Sequence, residues 1–331
     1  MKPLRVIHLL DDVAPGGVMQ ALAIYDHPGL TDLQTSRVVQ VMPDRPWAPR
    51  LEADVILTHF PPRWRALPFL AVLRARNPQA RLIHVEHSYT GAWEAHCVPH
   101  RRRFRTMLRQ AYRLFDDVVA VSHGQREWLE QAVGISRHRL RVISPWSDVP
   151  DLATIAPSDG ACRRPLVVGA YGRFAEQKGF DRLIEAFREL DPQRYTLRLG
   201  GFGPQEAALR AAAADLPHVC FVGAVSDRAA FLAQCDVIAV PSRWEAFGLV
   251  ATEARQAARA LLVANVDGLP EQLGEAGVRV DFSSPYGLRD SLAALDEGSL
   301  TELGKKARAS VVGLTEARLE AWRHLLSGDA R

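Results

Sequence analysis

Short apolar runs alternate with stretches of helical period from one end of the chain to the other. In the first half the apolar runs are Arg5–Leu10, Ser36–Met42, Val55–His59, Arg81–Val85, Val118–Val121 and Leu140–Ser144. Between them lie helical patterns near Val18–Tyr25, Arg65–Arg76, Arg101–Phe115 and Gly124–Gly134. Runs this short, apolar throughout and separated by helices, predict parallel strands buried on both faces. The rhythm breaks over Pro145–Pro165, which holds four prolines, several small polar residues and little periodicity. A second alternation follows, with strands predicted at Leu166–Ala170, Thr196–Gly200, Val219–Val222, Val237–Val240, Leu261–Ala264 and Val278–Val280. Its helices are predicted near Phe180–Leu190, Gln205–Asp215, Asp227–Gln234 and Gly248–Ala257. Helical patterns near Leu288–Asp296, Leu300–Val312 and Glu316–Leu326 close the chain. The expected class is α/β: two doubly wound parallel-sheet, Rossmann-like domains facing a cleft. We place an N-terminal domain at 1–150, a linker at 151–165, a second domain at 166–313 and a separate closing helix at 314–331.

A length of 331 residues agrees with two domains. Apolar content of 47% and charged content of 24% are ordinary for a soluble globular chain. A formal net charge of +3 gives no reason to expect a nucleic-acid partner. Cys97, Cys162, Cys220 and Cys235 form no CxxC pair and no metal-ligand spacing, which predicts free thiols in a reducing compartment. The first apolar run is too short for a signal-peptide core and breaks at Asp11-Asp12. No apolar run approaches the ~18 residues that span a bilayer.

Candidate chemistry concentrates after the strand Val237–Val240. There Pro241–Glu253 carries two acids, Glu245 and Glu253, separated by seven residues around Phe247-Gly248-Leu249. The spacing puts Glu245 in the loop leaving a strand and Glu253 in the helix that follows. Open α/β sheets bind ligands at that edge, and helix N-termini favour anions. Carboxylates beside an anion site suit a ligand that carries both phosphate and hydroxyls. The alternative for Glu253 is an acid held by the helix dipole. A second loop, Gly169–Phe180, is glycine-rich and brings Arg173 and Lys178 to the same sheet edge. Two cations there suit a diphosphate, although charges in such a loop can simply be solvated.

The run Gly172-Arg173 to Lys178-Gly179-Phe180-Asp181-Arg182-Leu183-Ile184-Glu185-Ala186-Phe187 resembles a signature of family 4 glycosyltransferases with the GT-B fold. Glu245 and Glu253 resemble their E-x7-E motif, Gly200-Gly201-Phe202-Gly203-Pro204 their G-x-GP turn, and Phe221–Ser226 their F-x-G-x-V strand end. The resemblance implies a retaining, metal-independent transfer of a hexosyl group from a nucleotide-diphosphate sugar to an acceptor hydroxyl. It implies that Arg173 and Lys178 hold the diphosphate, Glu245 the transferred sugar and Glu253 the ribose. Gly201, Gly203, Val225, Phe247, Gly248 and Leu249 would complete the donor site. The closing helix would return to the first domain. The pattern departs at Ala258 and Ala260, which replace a glycine and a proline, and at Asp267-Gly268, where the first glycine of a pair is lost. A GT-B epimerase, a phosphorylase and a non-catalytic partner subunit remain as alternatives.

In the first half the resemblance implies donor or acceptor contact for Gly16 and Gly17, and a catalytic position near the transferred sugar for His87. A Gly-Gly pair also suits an ordinary turn, and a histidine at a strand end also caps loops. His59 and Glu86 are further candidates for the cleft wall. Six arginines and no acid occupy His96–Arg113. Arg101, Arg102, Arg103 and Arg105 are candidates for binding an anionic membrane surface or a lipid-linked or glycan acceptor; a solvated helix face is the alternative. No metal ligands are expected and no cofactor beyond the donor substrate. Family habit places such an enzyme in the cytoplasm, peripheral at the inner membrane face and acting in polysaccharide biosynthesis.

Overall fold

A computed structural model describes residues 2–14, 16–147, 149, 151–158, 165–295 and 297–328. The chain forms two compact units, one from Met1–Ser147 with Gly313–Arg331, the other from Asp148–Val312. Each carries a six-stranded sheet whose pairings are all parallel.

The sheet of the first unit comprises β1 (Leu4–Leu10), β2 (Gln34–Gln40), β3 (Val55–Thr58), β4 (Arg81–Glu86), β5 (Asp117–Ala120) and β6 (Leu140–Val142), in the order β2-β1-β3-β4-β5-β6. The inner strands are buried on both faces, so they read as continuous apolar runs. β2 is an edge strand, exposed along most of its length, and its bounds lie two residues earlier than the apolar run predicts. Register explains the shift: Leu4 pairs with Gln34 and Leu10 with Gln40. The helix Gly91–Cys97, which the periodicity misses, starts where the Thr90 hydroxyl accepts from the Trp93 N–H at 3.1 Å.

The helix Arg101–Tyr112 buries Met107, Leu108, Ala111 and Tyr112. The chain's final helix, Leu314–Ser327, belongs to this unit. Trp322 packs on Tyr25 with ring centroids 5.2 Å apart, Arg81 donates to the Leu325 carbonyl, and Arg323 donates to Gly29 O and Asp32, each at 2.7 Å.

The second unit comprises β7 (Leu166–Tyr171), β8 (Tyr195–Gly200), β9 (Val219–Gly223), β10 (Val237–Val240), β11 (Ala260–Ala264) and β12 (Gly277–Val280), in the order β12-β11-β10-β7-β8-β9. The order reverses between β7 and β10, the topological switch point at which doubly wound sheets bind ligands. The helix Phe180–Arg188 lies after β7 and buries Phe180, Leu183, Ile184 and Phe187. That i, i+3, i+4, i+7 spacing forms one apolar stripe, and each large side chain buried contributes about 1.5–3 kcal/mol.

The expected linker is corrected in its described part, 151–158. Leu152 is 1% exposed in the core of the second unit, and Val149 and Ile155 pack against it. Arg308 donates to Ile155 O, Arg259 to Ala156 O at 2.8 Å, and Ser158 Oγ to Asp236 at 2.6 Å. Prolines break the periodicity here, but single apolar anchors and backbone hydrogen bonds fix the segment. The rest of the linker lies largely outside the described residues, as does Cys162. Cys220 and Cys235 are free thiols. Among the described residues no helix is long and apolar enough to cross a membrane.

Candidate functional site

In the second unit the loops leaving β7, β8 and β10 meet at the carboxyl edge of three neighbouring strands. Backbone hydrogen bonds zip the first two together: Gly172 N–H donates to Gly200 O at 2.9 Å and Phe174 N–H to Phe202 O at 2.8 Å. Gly201 has φ +141°, and a Cβ there would lie 1.9 Å from the Gly172 oxygen. A Cβ on Gly203, at φ +153°, would lie 2.6 Å from the Phe174 oxygen. Both glycines therefore have a packing reason, because only they let the loops approach this closely.

Lys178 and Glu245 are in direct contact. Lys178 Nζ donates to Glu245 Oε2 at 2.5 Å, and the Ser242 hydroxyl donates to the same oxygen at 3.1 Å. The Glu245 side chain is 11% exposed and that of Lys178 is 21% exposed. The Glu245 backbone is anchored too, its N–H donating to Asp267 at 3.0 Å and its carbonyl accepting from Gly268 at 3.2 Å. Asp267, which stands where the family has a glycine, and the retained Gly268 thus hold the loop that carries the acid. Arg173 is exposed, and its guanidinium has no ion pair or hydrogen bond with the described residues. Arg243 is occupied instead, gripping both oxygens of Asp181 at 2.8 and 2.5 Å.

Glu253 lies beyond the first turn of the helix Leu249–Gln256, and that first turn contains no acid. Its carboxylate is 3% exposed and accepts from two side chains, Tyr171 Oη at 2.5 Å and Arg228 at 2.9 Å. Burial, then the neighbouring Glu253 charge, push the Tyr171 phenol well above its ordinary pKa, so it stays a donor. Gly248 caps this helix at φ +88° without a side-chain cap; the Ala251 N–H donates to the Gly248 carbonyl at 3.0 Å, which leaves the N–H groups of Leu249 and Val250 to face an anion. Gln272 fixes the entrance by donating to the Phe247 and Gly248 carbonyls. Val225 is half-buried and packs against Gly200. The helix stops at Gln256 with Ala257 as its cap, and the next residue, Ala258, has φ +52°, the left-handed region that glycine adopts more easily.

Motif matching missed Tyr171, Arg228, Ser242 and Gln272. Tyr171 stands inside the Gly169–Phe180 loop sequence, but its type carries no signal until the fold brings it to Glu253.

The first unit gathers three histidines at its own switch point, where β1 lies between β2 and β3. His8 is on β1, His59 follows β3 and His87 follows β4. His8 Nδ1 lies 3.0 Å from His59 Nε2, and His59 Nδ1 lies 3.1 Å from His87 Nε2. Burial lowers the pKa of His8 to about 3 and that of His87 to about 4, and holds His59 well below its ordinary value. His59 is 7% exposed and lines a cavity together with His87. Glu86 is fully buried. It accepts from the backbone of Ser88 at 2.7 Å and of Tyr89 at 2.9 Å, and from Tyr112 Oη at 2.5 Å. Burial would raise its pKa, but hydrogen bonds from His84 and Tyr112 outweigh that and hold it below the usual carboxylate value. Glu86 shapes the loop behind His87. Gly16 and Gly17 are exposed at the start of the helix Gly17–Leu22.

Arg101, Arg102 and Arg103 are exposed at the start of their helix, with Arg103 over the ring of Trp64 at 5.7 Å. Arg105 is turned inward and forms a bidentate pair with buried Glu94, both contacts at 2.7 Å. It is removed from the group of free basic residues. Among the described residues no cluster of histidine, cysteine and acids could hold a metal ion.

Residues 165–296 match the family described as glycosyl transferases group 1, and residues 24–149 match glycosyltransferase family 4. A D-inositol 3-phosphate glycosyltransferase of Xylanimonas cellulosilytica is 30% identical over 93% of this chain and 77% of that protein. A phosphatidyl-myo-inositol mannosyltransferase of Mycolicibacterium smegmatis is 28% identical over 80% of this chain and 67% of that protein. Among solved structures, HepE of Anabaena in complex with UDP and glucose superposes with a TM-score of 0.78 at 18% identity, covering 98% of this chain and all of that one. The chain is a glycosyltransferase with the GT-B fold and belongs to the group 1, family 4 glycosyltransferases.

Proposed function

We propose that this enzyme transfers a hexosyl group from a nucleotide-diphosphate sugar to an acceptor hydroxyl with retention of anomeric configuration and without a bound metal. The observation that carries this reading is the meeting of Arg173, Lys178, Glu245 and an uncapped helix start at the switch point of one sheet. UDP and glucose in the HepE structure support a donor of this class.

In this reading Arg173 and Lys178 grip the diphosphate, and the amides opening the helix Leu249–Gln256 share its charge. Glu245 accepts from hydroxyls of the sugar, and Glu253 from those of the ribose. As the bond from the anomeric carbon to the diphosphate breaks, negative charge grows on the leaving oxygen. Fixed cations stabilise that charge, and losing one such group costs on the order of 10²–10³ in rate. The acceptor oxygen bonds to the anomeric carbon from the face the diphosphate leaves, and its proton passes to a diphosphate oxygen.

The acceptor is proposed to be a lipid-linked or cell-surface glycan intermediate read by the first unit. Exposed Arg101, Arg102 and Arg103 beside Trp64, itself 44% exposed, suit a peripheral position on an anionic membrane face.

Thermal unfolding against UDP, GDP, ADP and their sugars tests the donor class, because a ligand that binds the native state raises its midpoint. With the donor identified, NMR of the product reads the anomeric configuration and excess EDTA tests for a metal. Inversion, or loss of turnover in EDTA, overturns the corresponding part. Isomerisation of the donor without an acceptor would instead mark an epimerase.

A further inference from the structure

We propose that His8 and His59 act as positioning residues that hold His87 in the tautomer protonated on Nδ1, so that His87 meets its substrate as a hydrogen-bond donor. The tautomer follows from the first unit alone; only the word substrate rests on the glycosyltransferase reading above.

Three imidazoles stand in line, joined by N···N contacts of 3.0 and 3.1 Å. Each contact works as a hydrogen bond only with one proton in it. Burial keeps all three rings neutral near pH 7, and a neutral imidazole carries a single N–H. The protons must then be ordered in the same direction along the whole line. Either each ring donates towards His87, or each donates towards His8.

The two orders differ only at the ends. At the inner end, His8 Nε2 is buried and meets no hydrogen-bond partner among the described residues. Donation towards His87 leaves a lone pair there, whereas donation towards His8 leaves an N–H. A buried N–H without an acceptor is the rarer and costlier orphan. Among the described residues the Tyr25 ring, with its centroid 4.3 Å from that of His8, is placed to favour the reverse order, but N–H···π contacts are second-order in strength. The cavity beside His59 and His87 is lined mainly by apolar side chains, and its polar-bearing residues Tyr25, Ser144, Trp146 and Trp322 make no hydrogen bond with His8 Nε2.

At the outer end, His87 is half-buried, and its Nδ1 makes no hydrogen bond with the described residues. Donation along the line puts the proton on this atom. A ring so held can bond a hydroxyl oxygen or a developing oxyanion. It cannot take a proton from an acceptor hydroxyl without reversing the whole line.

The test needs no substrate. The full chain is labelled with ¹⁵N-histidine, and two-bond proton–nitrogen spectra report which ring nitrogen carries hydrogen. His87→Asn identifies the signals by their loss. The expected result is an N–H-type shift at His87 Nδ1 and a bare-nitrogen shift at Nε2. In His59→Leu the two shifts should move towards an average. His59→Asn, whose amide N–H can occupy the place of His59 Nδ1, should restore the native pattern. A bare Nδ1 in the unaltered protein overturns the inference, as does a His59→Leu spectrum identical to it. Should His59→Leu fail to fold, the unaltered chain and His59→Asn still decide. A correct tautomer in a protein that transfers no sugar would overturn the functional reading and leave this one standing.

Discussion

Lys178 Nζ lies 2.5 Å from Glu245 Oε2, so the cation proposed for the diphosphate and the acid proposed for the sugar hold each other. Donor binding then involves an exchange of partners: phosphate competes for the ammonium while hydroxyls donate to the carboxylate. A partly buried ion pair contributes little net stability while intact, but removing one member leaves the other charge uncompensated.

Arg173 and Lys178 should therefore separate activity from stability. Arg173→Ala removes an exposed group and should leave the unfolding free energy within about 0.5 kcal/mol. Lys178→Ala should lower it by roughly 1–3 kcal/mol, because Glu245 keeps only Ser242 beside it. Both should reduce transfer on the order of 10²–10³. Turnover assays beside urea unfolding check this, and near-normal rates in both variants would defeat the diphosphate assignment.

Tyr171→Phe removes the hydroxyl that donates to Glu253 at 2.5 Å while keeping the ring against Phe231. A hydrogen bond to a charged group contributes about 1.5–3 kcal/mol. We expect a lower unfolding midpoint and roughly tenfold weaker nucleotide binding by calorimetry. Unchanged affinity would mean that Glu253 is placed without help from Tyr171.

Gly201→Ala should be among the most damaging single substitutions in the second unit. Its Cβ would lie 1.9 Å from the Gly172 oxygen, on a backbone at φ +141°. Loops that carry donor residues would have to part. We expect a loss of soluble protein or a destabilisation above about 3 kcal/mol, read by circular dichroism on heating.

The histidine line sets an acid response. The folded pKa of His8 is lowered to about 3 against 6.5 as the ordinary value. Between those values the unfolded chain binds more protons, so stability falls as pH falls from about 6.5 and nothing is lost above it. Each such histidine adds a slope of up to about 1.4 kcal/mol per pH unit. His59 and His87 act in the same direction, while Tyr25, which also faces His8, does not titrate there. His8→Leu should show a shallower fall between pH 6.5 and 5 in denaturant melts. An unchanged slope would exclude His8 as a contributor.

Arg101, Arg102 and Arg103 should behave unlike Arg105. Charge reversal of the first three should weaken co-sedimentation with anionic vesicles and leave the fold stable. Arg105→Ala should destabilise instead, since it leaves Glu94, 3% exposed, without its bidentate partner. Equal vesicle binding by the unaltered and triple-reversed proteins would count against membrane docking.

The strands were legible because inner strands such as Val55–Thr58 and Val237–Val240 are buried on both faces and so appear as unbroken apolar runs. The short helix Gly91–Cys97 was not, since its cap, Thr90, stands before a glycine that reads as a turn. Motif spacing located Lys178 and Glu245, and the structure joins them. It gave no hint that Arg105 is spent on Glu94 or that Tyr171 and Arg228 hold Glu253. Those pairings cross 11, 82 and 25 positions of sequence, and periodicity carries no information over such intervals. The histidine line escaped for the same reason: His8, His59 and His87 become one object only when β1, β3 and β4 lie side by side.

The last helix, Leu314–Ser327, completes a unit whose other elements end at Ser147. On the ribosome, the whole second unit must be made before that helix emerges. At about 5–20 residues per second, the delay is on the order of ten to thirty seconds. Through that interval Tyr25 waits for Trp322, and Arg81 for the Leu325 carbonyl. The nascent first unit thus carries an uncovered apolar patch while its neighbour is already able to fold, a period in which chaperone protection or mild cooling during expression would decide the yield.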